Sequence, residues 1–172
     1  MSPVTQSSPS ATAAPLLQQV AVVLVEPRIP QNTGNIARLC ACTGASLMLV
    51  GSLGFRLHDR YLKRAGMDYL AHVAIEQFAD WPDLMAAYPD WTPWFFSSKA
   101  ARPYTRVGYP PRTLLVFGSE TQGLPEALLD THADRCVTLP MQPHPDVRSL
   151  NLSNTVAVAV YEAIRQQQGD QC

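Results

Sequence analysis

The chain has 172 residues, enough for one domain with a sizeable hydrophobic core. Hydrophobic residues make up 47%, charged residues make up 16%, and the formal net charge is −1. This balance excludes a uniformly basic coat for nucleic acid but permits a local basic face. No apolar run reaches the roughly 18 residues that a membrane span needs. The four cysteines lack metal or redox spacing, so we expect reduced thiols, no metal and a cytoplasmic protein.

The two ends of the sequence carry little structural signal. Residues 1–18 are rich in Ser, Ala, Thr, Pro and Gln, and they contain no charged side chain and no apolar periodicity. We predict that they form a flexible tail and that residues 169–172 are a frayed C-terminus. The folded domain is therefore predicted over residues 19–168.

The first third of the chain predicts a strand–helix–strand unit. Residues 20–25 are continuously apolar and rich in Val, as in a strand covered on both faces of a parallel sheet. A helix is predicted over residues 34–43, with Asn32 or Thr33 as its N-cap and Gly44 at its end. A second strand follows, and parallel crossovers of this kind are right-handed by default.

The later elements continue this alternation. In chain order we predict strand 47–50, helix 59–64, strand 73–75, helix 82–88, strands 94–97 and 113–117, helix 125–129, strand 136–139 and helix 151–167. Residues 101–111 and 140–147 are rich in proline and are predicted to be loops. Alternating strands and helices without an internal repeat indicate a single α/β domain with a parallel sheet flanked by helices.

The last predicted helix has no charged residue between positions 151 and 161. Val158 and Ala159 widen an apolar stripe that is made of Leu152, Val156, Val160 and Ile164. A terminal helix that is apolar nearly all round is buried on more than one side. In a chain this short we predict that its second partner is another subunit, the alternative being an internal core helix.

Several familiar motifs are absent from the sequence. The first strand is not followed by G-x-G-x-x-G, and H-E-x-x-H does not occur. Gly118 and Gly123 have the spacing of a phosphate-binding loop, but no Lys-Ser/Thr pair follows them. The segment around Ser119 is not a G-x-S-x-G nucleophile elbow.

Three polar clusters each follow an apolar strand: residues 26–38, residues 117–125, and residues 139–141 with 148–154. Single members have ordinary alternatives, since Asn32 could be only a helix cap, Arg38 a solvated side chain and Glu120 a surface carboxylate. Ligands of open parallel sheets gather beyond the carboxyl ends of the strands. The three clusters together therefore predict one shared pocket, with helix-start amides available to an anion.

The three clusters resemble, in order and spacing, the three motifs of the SPOUT superfamily of RNA methyltransferases. They are most similar to the small 2′-O-methyltransferases of the tRNA wobble nucleotide (the TrmL type). The matching runs are E-P-x-I-P-Q-N-T-G-N-I-A-R-L-C-A, F-G-S-E-T-Q-G-L-P and R-S-L-N-L-S-N-T-V-A-V-A-V-Y-E-A, which begin at Glu26, Phe117 and Arg148. The resemblance covers residues 20–165, nearly the whole predicted domain.

The resemblance implies an α/β domain with a deep C-terminal trefoil knot and a homodimer whose active site lies near the subunit interface. It implies methyl transfer from S-adenosylmethionine, without a metal, to the ribose 2′-hydroxyl of cytidine or uridine 34 in the anticodon loop of tRNA. The residues that it assigns to the cofactor pocket are Phe96, Gly118, Leu139, Ser149 and Leu150. Glycine at position 118 would allow a ligand to approach the backbone closely.

Arg38 matches the catalytic arginine of the family. Because a guanidinium keeps its proton, we assign it to phosphate binding and to stabilising negative charge on the 2′-oxygen. The residues expected to orient Arg38, the ribose and the cofactor are Asn32, Glu120, Ser149 and Asn151. The loop of residues 142–147 is longer than is usual in the family, and its His144 is a candidate base whose alternative is a solvated side chain.

Two basic clusters are predicted to contact RNA. One comprises Arg56, Arg60, Lys63 and Arg64; the other comprises Lys99, Arg102, Arg106 and Arg112 with Tyr104 and Tyr109. Arginine next to aromatic rings suits an unpaired loop of RNA, whereas the alternative for each cluster is a solvated face. Two other functions remain open: the same reaction on a different tRNA or rRNA nucleotide, and a catalytically silent RNA-binding dimer.

Overall fold

Parallel strands and flanking helices make up the computed structural model of the chain, which describes residues 16–17, 19–56, 69, 72–143 and 149–169. The strands are β1 (Val20–Val25), β2 (Ser46–Val50), β3 (Ile75–Phe78), β4 (Thr92–Phe96), β5 (Thr113–Phe117) and β6 (Cys136–Val137). The helices are α1 (Pro30–Thr43), α2 (Trp81–Ala87), α3 (Glu126–Thr131) and α4 (Leu152–Gln168). Short 3-10 turns lie at Tyr104–Arg106 and Ala133–Arg135.

The strands form one sheet in the order β3-β2-β1-β5-β4-β6, and every neighbouring pair is parallel. Both sheet faces are covered, because alternate side chains of β1 enter two different cores. Leu24 packs in the core that contains residues of α1 and α4, whereas Val23 packs in the core on the other face with Leu84 of α2. The predicted α/β fold, with its parallel sheet flanked by helices, is confirmed.

Helix α1 begins earlier than predicted. It starts at Pro30, whose fixed φ suits a first helical turn, and its N-cap is Ile29 without a side-chain cap. The predicted capping by Asn32 or Thr33 is therefore wrong, since both lie inside the helix. The predicted end is confirmed: Gly44 has a φ of 82° and its N–H donates to the carbonyl of Cys40 at 2.9 Å.

Elements in the middle of the chain are shifted by a few residues. Strand β3 begins only at Ile75, and β6 ends at Val137, after which Thr138 forms an isolated bridge with Pro103. The Asp80 side chain caps α2 by accepting from the N–H of Asp83 at 2.9 Å. The predicted helix 59–64 lies outside the described residues, as do positions 1–15 and 18 of the predicted tail and 170–172 of the predicted C-terminus.

The apolar stripe of α4 packs within its own chain. Val156 and Val160 are fully buried and Ile164 nearly so, all in the core that they share with α1 and β1. The sheet and α1 are therefore the first partner of this stripe, and a second partner from another subunit stays a prediction. Two other apolar side chains of α4 point outward: Val158 is 39% exposed and Tyr161 is 57% exposed. Within the described part of the chain, no helix has the length and apolarity that a membrane span requires.

Candidate active site

A cavity of about 710 Å³ lies beyond the carboxyl ends of β1, β4, β5 and β6. Residues of all three polar clusters line it, as predicted, and the first cluster contributes Glu26. The five residues predicted to hold the cofactor are all among them: Phe96, Gly118, Leu139, Ser149 and Leu150.

Aromatic and aliphatic side chains form part of the cavity wall. The rings of Phe96 and Phe117 stack with centroids 4.6 Å apart and an interplanar angle of 22°. Leu139 is partly buried against the core below, and Leu150 is 47% exposed. This wall offers apolar contact to a planar group, while the polar clusters supply hydrogen-bonding groups.

The loop after β5 closes on itself beside the cavity. Ser119 and Gly123 exchange two backbone hydrogen bonds of 3.1 and 2.9 Å, and Gly123 has a left-handed φ of 70°. A Cβ atom at Gly118 would lie 1.9 Å from the carbonyl carbon of Gly123. The position therefore requires glycine because its own chain folds over it, which is a different reason from the ligand approach inferred above.

Glu120 joins this loop to the start of α1. Its carboxylate accepts from the backbone N–H groups of Arg28 at 2.9 Å and Ile29 at 3.1 Å. It also accepts from Nδ2 of Asn32 at 3.0 Å. A carboxylate at this place satisfies N–H groups at a helix start, which have no partner within the helix. Its negative charge is also stabilised by the positive end of the helix dipole.

Asn32 carries the hydrogen-bond chain on to α4. Its Oδ1 accepts from Nδ2 of Asn151 at 3.0 Å, and Oδ1 of Asn151 accepts from both the N–H and the hydroxyl of Ser153 at 2.8 and 2.7 Å. Both ends fix the direction of the chain, because the carboxylate of Glu120 only accepts and the N–H of Ser153 only donates. Each amide is therefore held in one orientation.

The structure separates Arg38 from this hydrogen-bond chain. Six residues place Arg38 about 240° around α1 from the buried Asn32, and its side chain is exposed. Its guanidinium carbon lies 4.9 Å from the ring centroid of Tyr69, a cation–π distance. Among the described residues, no hydrogen bond connects Arg38 to the chain of Glu120, Asn32 and Asn151. The predicted catalytic set is thus brought together only in part within one chain.

Charged residues that the sequence analysis did not place in the cofactor pocket also line the cavity, among them Lys99, which was predicted to contact RNA. Glu26 has a left-handed φ of 49° and pairs with Arg28 at 2.7 Å. Lys99 pairs with Glu126 at 2.8 Å, and this hydrogen bond raises the pKa of Lys99 and lowers the pKa of Glu126. The sequence signal that could have placed Lys99 at the cavity was its position three residues after Phe96.

The structure describes only part of the predicted RNA contacts. Arg56 is exposed, whereas the other members of its cluster lie outside the described residues: Arg60, Lys63 and Arg64. His144 and Arg148 lie outside them as well.

The second basic cluster contains one wrong prediction. Tyr109 is 1% exposed and its hydroxyl donates to the carbonyl of Tyr104 at 2.6 Å, so it is a core residue that cannot stack on a base. The arginines of this cluster are exposed: Arg102, Arg106 and Arg112. No group of three or more His, Cys, Asp and Glu side chains is arranged for a metal ion in the described ranges.

Comparisons with known proteins agree with the geometry of the site. Residues 19–161 match the SpoU rRNA Methylase family. The chain is similar to a tRNA (cytidine(34)-2′-O)-methyltransferase of Burkholderia pseudomallei (strain 1106a), with 49% identity over 148 residues that cover 84% of this chain and 94% of that protein. A protein of the same name from Escherichia coli (strain K12) is 42% identical over 146 residues, which cover 84% and 92% of the two chains.

Two solved structures extend this similarity to the fold. One, described as giving structural insights into the 2-OH methylation of C/U34 on tRNA, has a TM-score of 0.83 and 38% identity over 88% of this chain and 98% of that one. The other is an AdoMet-bound rRNA methyltransferase from Sinorhizobium meliloti, with a TM-score of 0.76 and 25% identity over 88% of this chain and 60% of that one.

Proposed function

The chain belongs to the SpoU rRNA methylase family, and from that premise we propose that it methylates the ribose 2′-hydroxyl of nucleotide 34 in tRNA. The methyl donor is S-adenosylmethionine, and the target is cytidine or uridine in the anticodon loop. The observation that carries the proposal is the hydrogen-bond chain from Glu120 through Asn32 to Asn151, which ties all three polar clusters together beside one cavity. Since the substrate is tRNA, we expect the protein to act in the cytoplasm.

The cavity fits the proposed donor. Its volume of about 710 Å³ is in the range of small-molecule sites, and Phe96, Leu139 and Leu150 offer apolar contact to an adenine ring. The carboxylates of Glu26 and Glu120 also line it and favour a positively charged ligand. When bound, S-adenosylmethionine supplies an electrophilic methyl group on a positively charged sulfur.

The residues of the chain divide the remaining work between them. Glu120 and Asn151 hold the Asn32 side chain, and Ser149 lies at the cavity wall, where its hydroxyl can bind the donor or the ribose. Arg38 binds the phosphate next to the target ribose and stabilises the charge that develops on the 2′-oxygen as the hydroxyl proton passes to solvent water. A guanidinium suits this role because its own proton is retained.

A homodimer is part of this proposal because Arg38 is not connected to the hydrogen bonds of Glu120, Asn32 and Asn151 beside the cavity. Arg38 on α1 and the apolar Val158 and Tyr161 on α4 are all exposed. A second copy packed on these helices would cover the apolar side chains and bring Arg38 of one subunit to the site of the other. A deep trefoil knot in the C-terminal part of the chain, with Leu139 at the start of its loop and Ser149 and Leu150 at the close, is likewise proposed from the family resemblance.

Methylation of tRNA in solution tests the proposal. The purified protein is incubated with radiolabelled S-adenosylmethionine and with either unmodified transcripts or bulk tRNA from a strain without this activity. We expect one methyl group per accepted tRNA, mapped to nucleotide 34 by nuclease resistance and mass spectrometry. A methyl group on another nucleotide would favour the alternative substrate. RNA binding without transfer would identify a silent RNA-binding dimer.

A further inference from the structure

Lys99 and Glu126 form an ion pair at the edge of the cavity. Their Nζ and Oε1 atoms are 2.8 Å apart, and both side chains line the wall. The backbone of Lys99 is fixed in a turn directly after β4, where its N–H donates to Oγ of Ser97 at 3.2 Å. Glu126 is the first residue of α3. Two segments that are distant in the sequence therefore present opposite charges side by side.

The other charged groups of the cavity wall are already engaged. Glu120 accepts three N–H hydrogen bonds, and Glu26 pairs with Arg28. Among the described lining residues, Lys99 is the one cation. A ligand carboxylate that enters this cavity therefore has Lys99 as its charged partner on the described wall.

We propose that Lys99 and Glu126 bind the zwitterionic amino-acid end of S-adenosylmethionine, with Lys99 on the α-carboxylate and Glu126 on the α-ammonium. The proposal rests on the proposed function and names the specificity determinants of its donor site. The ammonium of Lys99 has three donors and gives one to Glu126, whose second carboxylate oxygen is also available. The four charges then alternate in sign, so the existing pair need not break when the ligand binds.

The neighbouring cavity supports this placement. A second cavity of about 490 Å³ shares Ser97, Lys99, Glu126 and Leu129 with the first, so the ion pair stands between the two spaces. The ion pair thus forms a charged edge of the larger cavity. The flexible, charged end of a ligand suits such a boundary, while its planar base suits the apolar wall at Phe96 and Leu150.

Calorimetric titration with three ligands tests the proposal: S-adenosylmethionine, its decarboxylated analogue, and 5′-methylthioadenosine, which lacks the amino-acid end. The wild type should bind S-adenosylmethionine about 5- to 10-fold more tightly than the decarboxylated analogue, as expected for an exposed charge-assisted contact. Lys99→Ala should bring this ratio close to one, and Lys99→Arg should retain it. Glu126→Gln should lower the affinities for S-adenosylmethionine and for its decarboxylated analogue by a similar factor.

Binding of 5′-methylthioadenosine should be the same in all variants, which reports that the adenosine part of the cavity is intact. Arg106→Ala removes an exposed cation that does not line the cavity and should keep the wild-type preference. Equal binding of the two charged ligands by the wild type, or an unchanged preference in Lys99→Ala, would overturn the ion-pair assignment and leave the proposed function standing. Failure of the wild type to bind S-adenosylmethionine at all would overturn both.

Discussion

Helix α4 has two apolar faces that differ in what covers them. The inner face contains Val156 and Val160, which are fully buried against α1 and the sheet. The outer face contains Val158 and Tyr161, which remain exposed although they lie on the same uncharged segment. A single chain therefore accounts for the inner face, whereas the outer face acquires a role only in the proposed homodimer.

The same division runs through helix α1 and through the candidate site. Asn32 faces inward and is hydrogen-bonded to Glu120 and Asn151, while Arg38 faces outward and contacts Tyr69. Positioning groups are thus built into the fold of one chain, and the cationic group is carried on its surface. Variants on the inner face should act on stability, and variants on the outer face should act on assembly and turnover.

The largest effect is expected from a charge on the inner face of α4. Val156→Asp would bury an unpaired carboxylate in the core, which costs more than about 3 kcal/mol, so we expect loss of cooperative thermal unfolding or a much lower Tm. Val158→Asp, two residues away on the outer face, should keep the Tm within a few degrees of the wild type and shift the dimer to monomer in sedimentation. A dimer unchanged by Val158→Asp would contradict the outer-face contact, and a wild-type Tm for Val156→Asp would contradict the core assignment.

The next effect concerns the outward cation. Arg38→Ala should lower kcat for tRNA methylation by about 100- to 1000-fold, because a charged donor to the developing oxyanion is removed. Its affinity for S-adenosylmethionine, measured by calorimetry, should stay near the wild-type value, since Arg38 does not line the donor cavity. Arg38→Lys keeps the charge but not the planar guanidinium, so its kcat should lie between those of the wild type and Arg38→Ala. Turnover of Arg38→Ala at the wild-type rate would remove Arg38 from the mechanism.

The residues that could and could not be predicted differ in the range of their contacts. Strands β1 and β5 were predicted to the residue because a continuous apolar run determines burial locally. Asn32 was misassigned as a helix cap because its actual partners, Glu120 and Asn151, lie 88 and 119 positions away in the sequence. Local propensity contains no information about such distant partners. The strand-end positions of the three polar clusters predicted that the clusters meet, and the family resemblance singled out these residues.

Aromatic residues show the same limit. Tyr109 was assigned to an RNA surface because it stands among arginines, but burial of its ring depends on α4, which comes more than forty residues later. Gln166 of that helix accepts from the Tyr109 N–H at 2.9 Å, and its amide donates to the carbonyl of Val107 at 3.0 Å. A tyrosine fits either setting, so only the tertiary structure decides between them.

Glu120→Gln tests the inner positioning chain at its acceptor end. A neutral amide would set an NH₂ group against donors that now bind a carboxylate, so one N–H would lose its partner. We expect the free energy of unfolding to fall by about 2 kcal/mol and kcat to fall by about 10- to 100-fold. Glu126→Gln makes the same chemical change at an exposed residue that takes no part in these hydrogen bonds, and it should leave the Tm unaltered. A Glu120→Gln enzyme with normal kcat would show that the carboxylate is not needed to orient Asn32.

The smallest effect should come from the other end of the same chain. Ser153 supplies two of the donors to Oδ1 of Asn151, its N–H at 2.8 Å and its hydroxyl at 2.7 Å. Ser153→Ala removes the hydroxyl and leaves the N–H, so Asn151 keeps its orientation but is held less firmly. We expect about 1 kcal/mol lower stability and about 5-fold lower kcat, with KM for the donor little changed. Ser153→Thr keeps the hydroxyl and should restore kcat, whereas Asn154→Ala changes an exposed neighbour and should leave it unaffected. If Ser153→Ala lowered the Tm without altering kcat, the hydroxyl would only stabilise the start of α4, and the inner chain would position Asn32 through the backbone N–H alone.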